Sequence, residues 1–308
     1  MPRTPVDNLV RLYPLSISEF PYHPAFRDAQ RSSDAPDLTT FIKAVLDQAI
    51  AFVDDNTLLG TFSAWGEKTS PPATATVYQL SRTIKPSELS SSRRSVKKEA
   101  WFARRSTHAN RREKGTADWA EFDSGLRADH MNHEMEYTPN VLDAHKVVDW
   151  EQELADSGRN WLKENGYEEA SMSIYEMHHH MPFPLYNRVF PVLAVHARTS
   201  KSSFVVVQLP VDLTQLPQNP SNGVLYSNAR NRRDGDSAVQ RKRVVLGQYV
   251  SIERATTEDG NISWIMATAS DAKGWLPMWL QKLGVPGAIV KDVGYFMEWT
   301  AKRRNSGA

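Results

Sequence analysis

Residues 262–304 decide the fold, and they read ISWIMATASDAKGWLPMWLQKLGVPGAIVKDVGYFMEWTAKRR. The first part, residues 262–268, is rich in β-branched and large apolar side chains and predicts a strand. A polar turn over residues 270–274 follows. Pro277 then suits the first turn of a helix, where its missing N–H costs nothing. The stretch predicts a terminal strand followed by a long terminal helix.

The predicted terminal helix is amphipathic. Its apolar residues recur at the spacing of one helix face, and they are Val285, Ile289, Val293 and Phe296. Pro286 lies inside this run, so we expect a kink or a break near residues 284–287. A helix this apolar needs a large partner surface, which the upstream strands can supply as one curved sheet.

Composition bounds the class of protein. The chain has 308 residues, 40% of them hydrophobic, which allows one large domain or two small ones. The net charge of +1 favours neither nucleic acid nor a membrane, and the absence of cysteine excludes disulfides and thiolate chemistry. No apolar run suits a signal peptide or the roughly 20 residues of a membrane span, so we expect a cytoplasmic protein.

The first part of the chain is irregular. Residues 1–36 hold several prolines and few periodic apolar positions, which predicts an irregular arm lying on the domain. A helical stripe over residues 38–53 follows, with Asp37 as a plausible N-cap. Residues 54–74 are predicted as a loop, and residues 76–84 alternate like a strand.

Two segments are basic. Residues 93–114 hold nine Lys or Arg against two Glu, with a possible strand at 101–106. They are either a patch for anionic lipid headgroups or a solvated loop, and such charge runs are usually solvated. The segment 214–243, with a basic run at 230–243, is either a lid over a tunnel mouth or a disordered loop.

Histidines suggest a metal only weakly. His130, His133 and Glu134 lie close together, but nothing completes a site at a motif-like spacing. No Ser-His-Asp spacing, phosphate loop or dinucleotide fingerprint occurs either. We therefore expect no metal and no cofactor.

Residues 171–180 predict a strand. Because side chains alternate, Glu176, His178 and His180 share one face, opposite Tyr175. That face would either bind a metal or be a polar surface lining a cavity or facing solvent. The second interpretation is favoured because no other motif supplies a further ligand. The prolines of residues 182–190 then indicate a crossing loop. Further strand-like runs, at 192–197, 204–209, 244–255 and 262–268, indicate an antiparallel meander.

The terminal turn SDAKGWLP, residues 270–277, resembles the strand-to-helix turn of START domains, a lipid-transfer family. PFPLYNRVF, residues 182–190, is similar to the family segment in which an aromatic-Pro pair precedes Arg-Asp. Arg188 matches that arginine, and Val189 stands where Asp is usual. The resemblance implies an α+β helix-grip fold, a curved antiparallel sheet wrapped around a long kinked C-terminal helix. It implies a single START-like domain over residues 37–308.

The resemblance covers about residues 75–304. The segments WFARRSTH, HEMEYTP, YSN and MATASDAKGWLP look most like a START-like family common in filamentous fungi, to which no general function is assigned. The implied function is binding of a hydrophobic small molecule, such as a lipid, sterol or apolar metabolite, in an internal tunnel. The resemblance also implies that the protein could transfer that molecule, which would involve transient contact with a membrane. No nucleic-acid partner is expected, and the oligomeric state is left open.

An apolar tunnel needs few polar groups to orient its ligand. Arg188 is the predicted buried cation, with Glu176 or Glu253 as its counter-charge, because an unpaired buried charge is very costly. Either this pair contacts the ligand, or it is a salt bridge that never does. The predicted apolar lining, for which ordinary core packing is the alternative, is Tyr249, Trp264, Met266, Trp279, Val293, Phe296 and Met297.

The alternative function is a cyclase-type enzyme of secondary metabolism. Members of the wider superfamily fold a polyketide or terpenoid precursor in the same tunnel, and a tunnel speeds cyclisation by positioning and by one acid or base. The candidate participants are Tyr175, His178, His180, Arg188 and Glu253. An inward-facing histidine beside a carboxylate would favour this enzyme. The absence of a catalytic motif favours binding, and a closed interaction domain without a ligand is the third possibility.

Overall fold

The computed structural model describes residues 8–89, 97–216, 223–226, 243–273 and 278–306, with the backbone alone for 278–284. These residues form ten strands: β1 (Ser63–Thr69), β2 (Thr76–Ile84), β3 (Glu99–Ala109), β4 (Val141–Asp149), β5 (Glu168–His179), β6 (Arg188–Ser200), β7 (Ser203–Pro210), β8 (Val245–Leu246), β9 (Gln248–Glu258) and β10 (Asn261–Asp271).

The helices in the same residues are α1 (Leu38–Val53), α2 (Asp55–Thr61), α3 (Pro86–Leu89), α4 (Trp119–Phe122), α5 (His130–Tyr137), α6 (Glu151–Glu164) and α7 (Met278–Ser306). A π-helical turn at Asp123–Arg127 follows α4. Across this described part of the chain, no helix is long and apolar enough to cross a membrane.

Nine strands form one antiparallel sheet in the order β1-β2-β3-β10-β9-β7-β6-β5-β4, and β8 pairs in parallel with the start of β6. The middle of this order joins β3 to β10, strands that lie more than 150 residues apart in sequence. The sheet and the C-terminal helix together confirm the predicted α+β architecture.

The outer face of the sheet, as we call the side that carries α1, holds the larger apolar cluster. Asp37 caps α1 by accepting a hydrogen bond from the Thr40 amide at 2.8 Å. The apolar stripe of α1 meets alternate strand residues such as Val205 and Ile252. Phe20 and other arm residues join the same cluster, so the arm also covers this face.

The inner face, as we call the opposite side, is covered by α7. Val293 and Phe296 of α7 pack in one apolar cluster with Phe204, Val206 and Trp264 of the sheet. The cluster excludes water along the C-terminal half of the helix, so α7 is held by burial rather than by its own helix propensity.

The prediction for residues 284–287 was a kink or a break, and the break does not occur, because the helix α7 continues through Pro286. A proline removes one hydrogen bond from the helical ladder. Gln79 Nε2 of β2 donates to the Pro286 carbonyl at 2.9 Å, which ties this part of the helix to the sheet. Tertiary packing therefore overrides the local signal for a break.

Gly294 is the point where α7 approaches the turn between β1 and β2. A Cβ at this position would lie 2.5 Å from the Pro71 carbonyl oxygen and 2.9 Å from that of Ser70. Backbone atoms cannot swing aside as a side chain can. We expect Gly294→Ala to lower the free energy of unfolding by about 1–3 kcal/mol, partly offset by the higher helix propensity of alanine.

Gly287 in the same helix is the matched control. A Cβ there meets nothing within 4 Å, so Gly287→Ala should raise the free energy of unfolding by up to about 1 kcal/mol through helix propensity alone. Urea denaturation measures both variants. If both substitutions raised the free energy of unfolding, the close approach of α7 to the β1–β2 turn at Gly294 would be ruled out.

The local predictions have mixed outcomes. The helix at 38–53 and the strand at 76–84 are confirmed. The loop predicted for 54–74 is wrong, because this segment contains α2 and β1. Every residue of β1 is exposed, so no apolar alternation marks it as a strand. Edge pairing with β2 decides its conformation instead.

The basic segments also need correction. Residues 99–109 form the full-length strand β3 in the middle of the sheet, and Arg104 there is buried, so neither a headgroup patch nor a solvated loop describes them. Residues 93–96 and 230–242 lie outside the described residues, as do residues 274–277 of the terminal turn.

Candidate functional site

A cavity of about 380 Å³ lies between the inner face, α5 and α7. Its volume is within the range of about 300–1,000 Å³ that ligand pockets occupy. The wall is formed by strand residues Met177, His179, Phe190, Gln208, Tyr249, Met266, Thr268 and Ser270, by Glu134, Thr138 and Asn140, and by α7 residues Val285, Gly287, Ala288, Ile289, Lys291, Asp292 and Tyr295.

One part of the wall is apolar and aromatic. Phe190 lies edge-on to Tyr249, with ring centroids 6.2 Å apart, and edge-on to His179 at 5.1 Å. Gly247 permits this position of Phe190, because a Cβ on Gly247 would overlap the phenyl ring. Met177 completes this surface. Such a wall buries an apolar chain, and each buried CH₂ contributes about 0.8 kcal/mol.

The other part of the wall is polar. Glu134 of α5, Gln208 of β7 and Asp292 of α7 converge on the cavity from three elements. Behind them, Arg104 of β3 donates to Glu253 of β9 at 3.1 Å. The cavity is therefore amphipathic, with a buried ion pair supporting its polar side.

The Arg104–Glu253 pair is held by aromatic packing. Trp264 Nε1 donates to Glu253 Oε1 at 2.9 Å, and the Arg104 guanidinium lies 3.9 Å from the centroid of the Trp264 ring. Arg104 is fully buried. Burial lowers the pKa of Arg104, and the negative charge of Glu253 opposes that shift.

His130 lies between two carboxylates. Its Nε2 is 3.8 Å from Glu134 Oε2 and 3.9 Å from Glu253 Oε2, and its Nδ1 bonds to the Leu126 carbonyl. Burial lowers the pKa of His130, although the charge of Glu253 acts in the opposite direction. The imidazole of His130 is therefore neutral at pH 7, and it can relay a proton.

Two cavity carboxyl groups titrate near neutral pH. Burial raises the pKa of Glu134 to about 8, with the charges of Asp292 and Glu253 adding to the effect. Burial also raises the pKa of Asp292 to about 7, against the lowering influence of Arg104. Both groups can therefore gain or lose a proton at physiological pH, which is common at functional sites.

These shifts predict a pH dependence of stability. The pKa of Glu134 is about 8 in the folded chain against 4.5 for an unperturbed glutamate, so the folded protein holds a proton that the unfolded chain releases between these values. Stability should fall as the pH rises through this window. Glu134→Gln should flatten the fall, as measured by urea denaturation at several pH values. The exposed Glu298→Gln is the control, and an unchanged slope in Glu134→Gln would refute the shift.

The predicted ligand-binding residues separate into three groups. Tyr249 and Met266 line the cavity. Glu253 and Trp264 lie behind its polar wall. The remaining described lining residues, Val293, Phe296 and Met297, are fully buried in the apolar cluster beneath α7 and do not reach the cavity. The side chain of Trp279 lies outside the described residues.

The predicted pairing of Arg188 with Glu176 or Glu253 is not what the structure contains. Arg188 donates instead to the carbonyls of Ala272 at 2.9 Å, Tyr186 and Lys273, so it anchors the end of β10 ahead of α7. Carbonyl oxygens satisfy the guanidinium without a carboxylate. Burial nevertheless lowers the pKa of Arg188.

Glu176 and His178 face away from the cavity. They share the outer face with Met172 and Ile174, and Glu176 accepts hydrogen bonds from the amides of Leu225 and Tyr226 at 2.8 and 2.9 Å. The predicted alternation is correct, but the face of β5 that lines the cavity is the opposite one, which carries Met177 and His179.

The remaining candidates lie elsewhere. His180 is exposed beyond the end of β5, so it cannot act in the cavity. Tyr175 lines a separate cavity of about 170 Å³ beside Asp129 and Lys146. His179, which was not among the candidates, is the histidine of this strand that lines the main cavity.

The polar wall was missed for an identifiable reason. Glu134 was weighed only as a metal ligand, and no group of three or more metal-binding side chains occurs in the portion the structure describes. Asp292 lies three residues after Ile289, on the apolar stripe of the terminal helix. An acidic residue on such a stripe is the signal that could have found it.

Two solved structures share this architecture. Human STARD10 matches with a TM-score of 0.52 at 10% identity, covering 88% of this chain and 82% of that chain. Human StAR-related lipid transfer protein 5 matches with a TM-score of 0.54 at 9% identity, covering 86% and 96%. The fold is therefore the START-like helix-grip fold, as the sequence resemblance predicted.

The family is shown by sequence. A family model described as "Protein of unknown function (DUF3074)" matches residues 101–300, about two thirds of the chain, and the protein belongs to this family. No curated protein matches the chain. The matched segment includes most of β3, α5, the strands that line the cavity and most of α7.

Proposed function

We propose that the protein binds a hydrophobic small molecule, such as a lipid, sterol or apolar metabolite, in the cavity beneath α7, and that it can transfer this molecule. The observation that carries the proposal is the cavity itself, which has an apolar wall around Phe190 and a polar wall at Glu134 and Asp292. Pockets of this kind bind the apolar body of a ligand and orient its polar group. The two human structures, one named as a lipid transfer protein, support the proposal by their fold.

The direct test is native mass spectrometry of the full chain, with extraction and identification of any bound molecule. Ala288→Phe should weaken binding, because Ala288 lines the cavity at an exposed position of α7 and a phenyl ring there would obstruct part of it. Lys302→Phe adds the same ring at an exposed position of α7 and is the control. If the protein is empty and also takes up no fluorescent lipid or sterol analogue, the proposal fails.

Transfer also requires contact with a membrane. The loop between β5 and β6 exposes Phe183 almost completely (97%) and Tyr186 by half, beside strand ends that contribute His179 and Phe190 to the cavity. Exposed aromatic residues partition into the membrane interface. We expect Phe183→Ala to reduce binding to phospholipid vesicles several-fold, as measured by vesicle sedimentation.

Leu59 provides the control for this prediction. It is a large apolar residue that is 70% exposed, but it lies on α2, next to the outer face. Leu59→Ala should leave vesicle binding unchanged. Equal loss in both variants would mean that surface hydrophobicity in general, rather than the loop at Phe183, determines membrane contact.

A second candidate is a cyclase-type enzyme, and one observation favours it. His130 faces inward between Glu134 and Glu253, and the pKa of about 8 for the buried Glu134 suits an acid or base at neutral pH. Offering linear polyketide and terpenoid precursors, with product analysis, tests this candidate. A cyclised product that Glu134→Gln abolishes would establish it. Turnover unaffected by that change would exclude these groups from the chemistry.

The broader organisation stays a prediction. An arm at residues 1–36, a single domain at residues 37–308 and a cytoplasmic location are consistent with the proposed binding function. The burial of arm residues such as Phe20 against the sheet supports an arm that stays with the domain.

A further inference from the structure

The polar wall of the cavity contains two hydrogen-bond acceptor atoms that have no donor among the described residues. Gln208 is only 2% exposed and lines the cavity, yet its Oε1 has no partner among the described residues. Glu134 Oε2 is likewise without a hydrogen bond within the described part of the chain. Asp292 adds a third acceptor from α7. Buried polar groups are normally satisfied, so two acceptor atoms without a donor, facing the same space as the Asp292 carboxyl, indicate a missing donor group.

The charges around this wall leave it acidic. Arg104 is paired with Glu253 at 3.1 Å, so that cation is already balanced. Burial lowers the pKa of His130 and lowers the pKa of His179 to about 4, so both rings are neutral. Burial raises the pKa values of the tyrosines that face these groups, Tyr137 and Tyr249, which keeps them uncharged. Lys291, the remaining cation among the lining residues that the structure describes, is exposed to solvent.

We infer that the ligand is a primary amine attached to an apolar chain, with its ammonium group held by Glu134, Gln208 and Asp292. An ammonium group has three N–H donors and one positive charge, which matches three acceptors of which two are carboxyl groups. The apolar wall around Met177, Phe190 and Tyr249 then contacts the chain. This inference rests on the proposed binding function and names its ligand class.

The amine should bind more tightly as the pH rises. The carboxyl pKa values of about 8 and about 7 mean that Glu134 and Asp292 are partly protonated at pH 7, and the ammonium group must displace those protons. An alkyl ammonium, like lysine with a pKa of about 10.4, stays charged throughout this range. Affinity should therefore rise from pH 6 towards pH 9, whereas an uncharged ligand should show no such rise.

The test uses four probes of one chain length: dodecylamine, dodecanol, dodecanoate and dodecyltrimethylammonium. Calorimetric titration into the full chain, below the micelle concentrations, gives their dissociation constants. We expect the amine to bind about tenfold to a hundredfold more tightly than the alcohol, because hydrogen bonds to charged groups are the strong ones. The quaternary ammonium keeps the charge but has no N–H donor, so it should bind more weakly than the amine.

Substitutions test whether Glu134 and Asp292 cause the preference for the amine. The double variant Glu134→Gln with Asp292→Asn should remove the amine preference and its pH dependence while dodecanol binding remains. Glu298→Gln, an exposed carboxyl on α7, is the matched control and should keep the preference. If dodecanol or dodecanoate binds as tightly as the amine, the inference is overturned and the binding function stands. It is also overturned if the preference survives the double variant. If none of the four probes binds, the amine inference is overturned, and the binding function is decided separately by the mass spectrometry and the uptake of lipid and sterol analogues.

Discussion

Replacing Arg104 with leucine should lower the free energy of unfolding by about 3–5 kcal/mol, the usual cost of removing one partner from a buried ion pair. Arg104 is fully buried and donates to Glu253 at 3.1 Å. Its loss leaves a carboxylate without a counter-charge beside the cavity and removes the stacking on Trp264. Urea denaturation at pH 7 measures the change.

Arg105 is the next residue of the same strand and provides the control. Its side chain is 35% exposed on the outer face and pairs with Asp55 at 3.0 Å. Exposed pairs contribute about 0–1 kcal/mol, so Arg105→Leu should have a small effect. Adding Glu253→Gln to Arg104→Leu should recover part of the loss, because the uncompensated charge is removed. A loss below about 1 kcal/mol in Arg104→Leu would contradict the buried pair.

The second large effect is expected at Phe296, where α7 meets the sheet. Phe296 is fully buried, and its ring centroid lies 5.1 Å from that of Phe122 and 5.4 Å from that of Trp264. Phe296→Ala should lower the free energy of unfolding by about 3–5 kcal/mol, because it removes buried apolar surface and leaves a cavity. The same denaturation experiment measures it.

Phe183 is the matched control, because it is 97% exposed. Phe183→Ala should change the free energy of unfolding by no more than about 0.5 kcal/mol. Similar losses at the two phenylalanines would mean that α7 is not seated as described. A large loss at Phe296 with ligand binding retained would separate the core beneath α7 from the cavity.

The polar wall connects stability with function. Glu134 and Asp292 lower the stability of the fold as the pH rises, and the same two carboxyl groups are proposed to hold the ligand. Functional sites commonly reduce stability in this way. A bound cationic ligand should therefore stabilise the chain most at alkaline pH, where Glu134 and Asp292 are charged. Urea unfolding curves at several pH values, measured with and without the amine, test this expectation.

Sequence reasoning succeeded where local patterns and burial agree. The stripe that contains Val293 and Phe296 predicted the terminal helix, and the β-branched and large apolar residues of 262–268 predicted β10. It failed at β1, whose residues are all exposed, and at Pro286 the break, one of the two predicted outcomes, does not occur because the helix is continuous. At both positions a tertiary contact outweighs the local preference.

The sequence by itself determined the α+β architecture, the long C-terminal helix and the resemblance to START domains. Only the tertiary structure decided which face of β5 lines the cavity. The histidine in the cavity wall is therefore His179 and not the predicted His178. A strand pattern has period two, and it defines two faces without saying which one is covered by α7. The strand β10 pairs with β3 on one side and with β9 on the other, which brought Arg104 to Glu253, and α5 and α7 brought Glu134 to Asp292. Charges from such distant segments meet only in the folded chain, which is why the polar site could not be read from spacing.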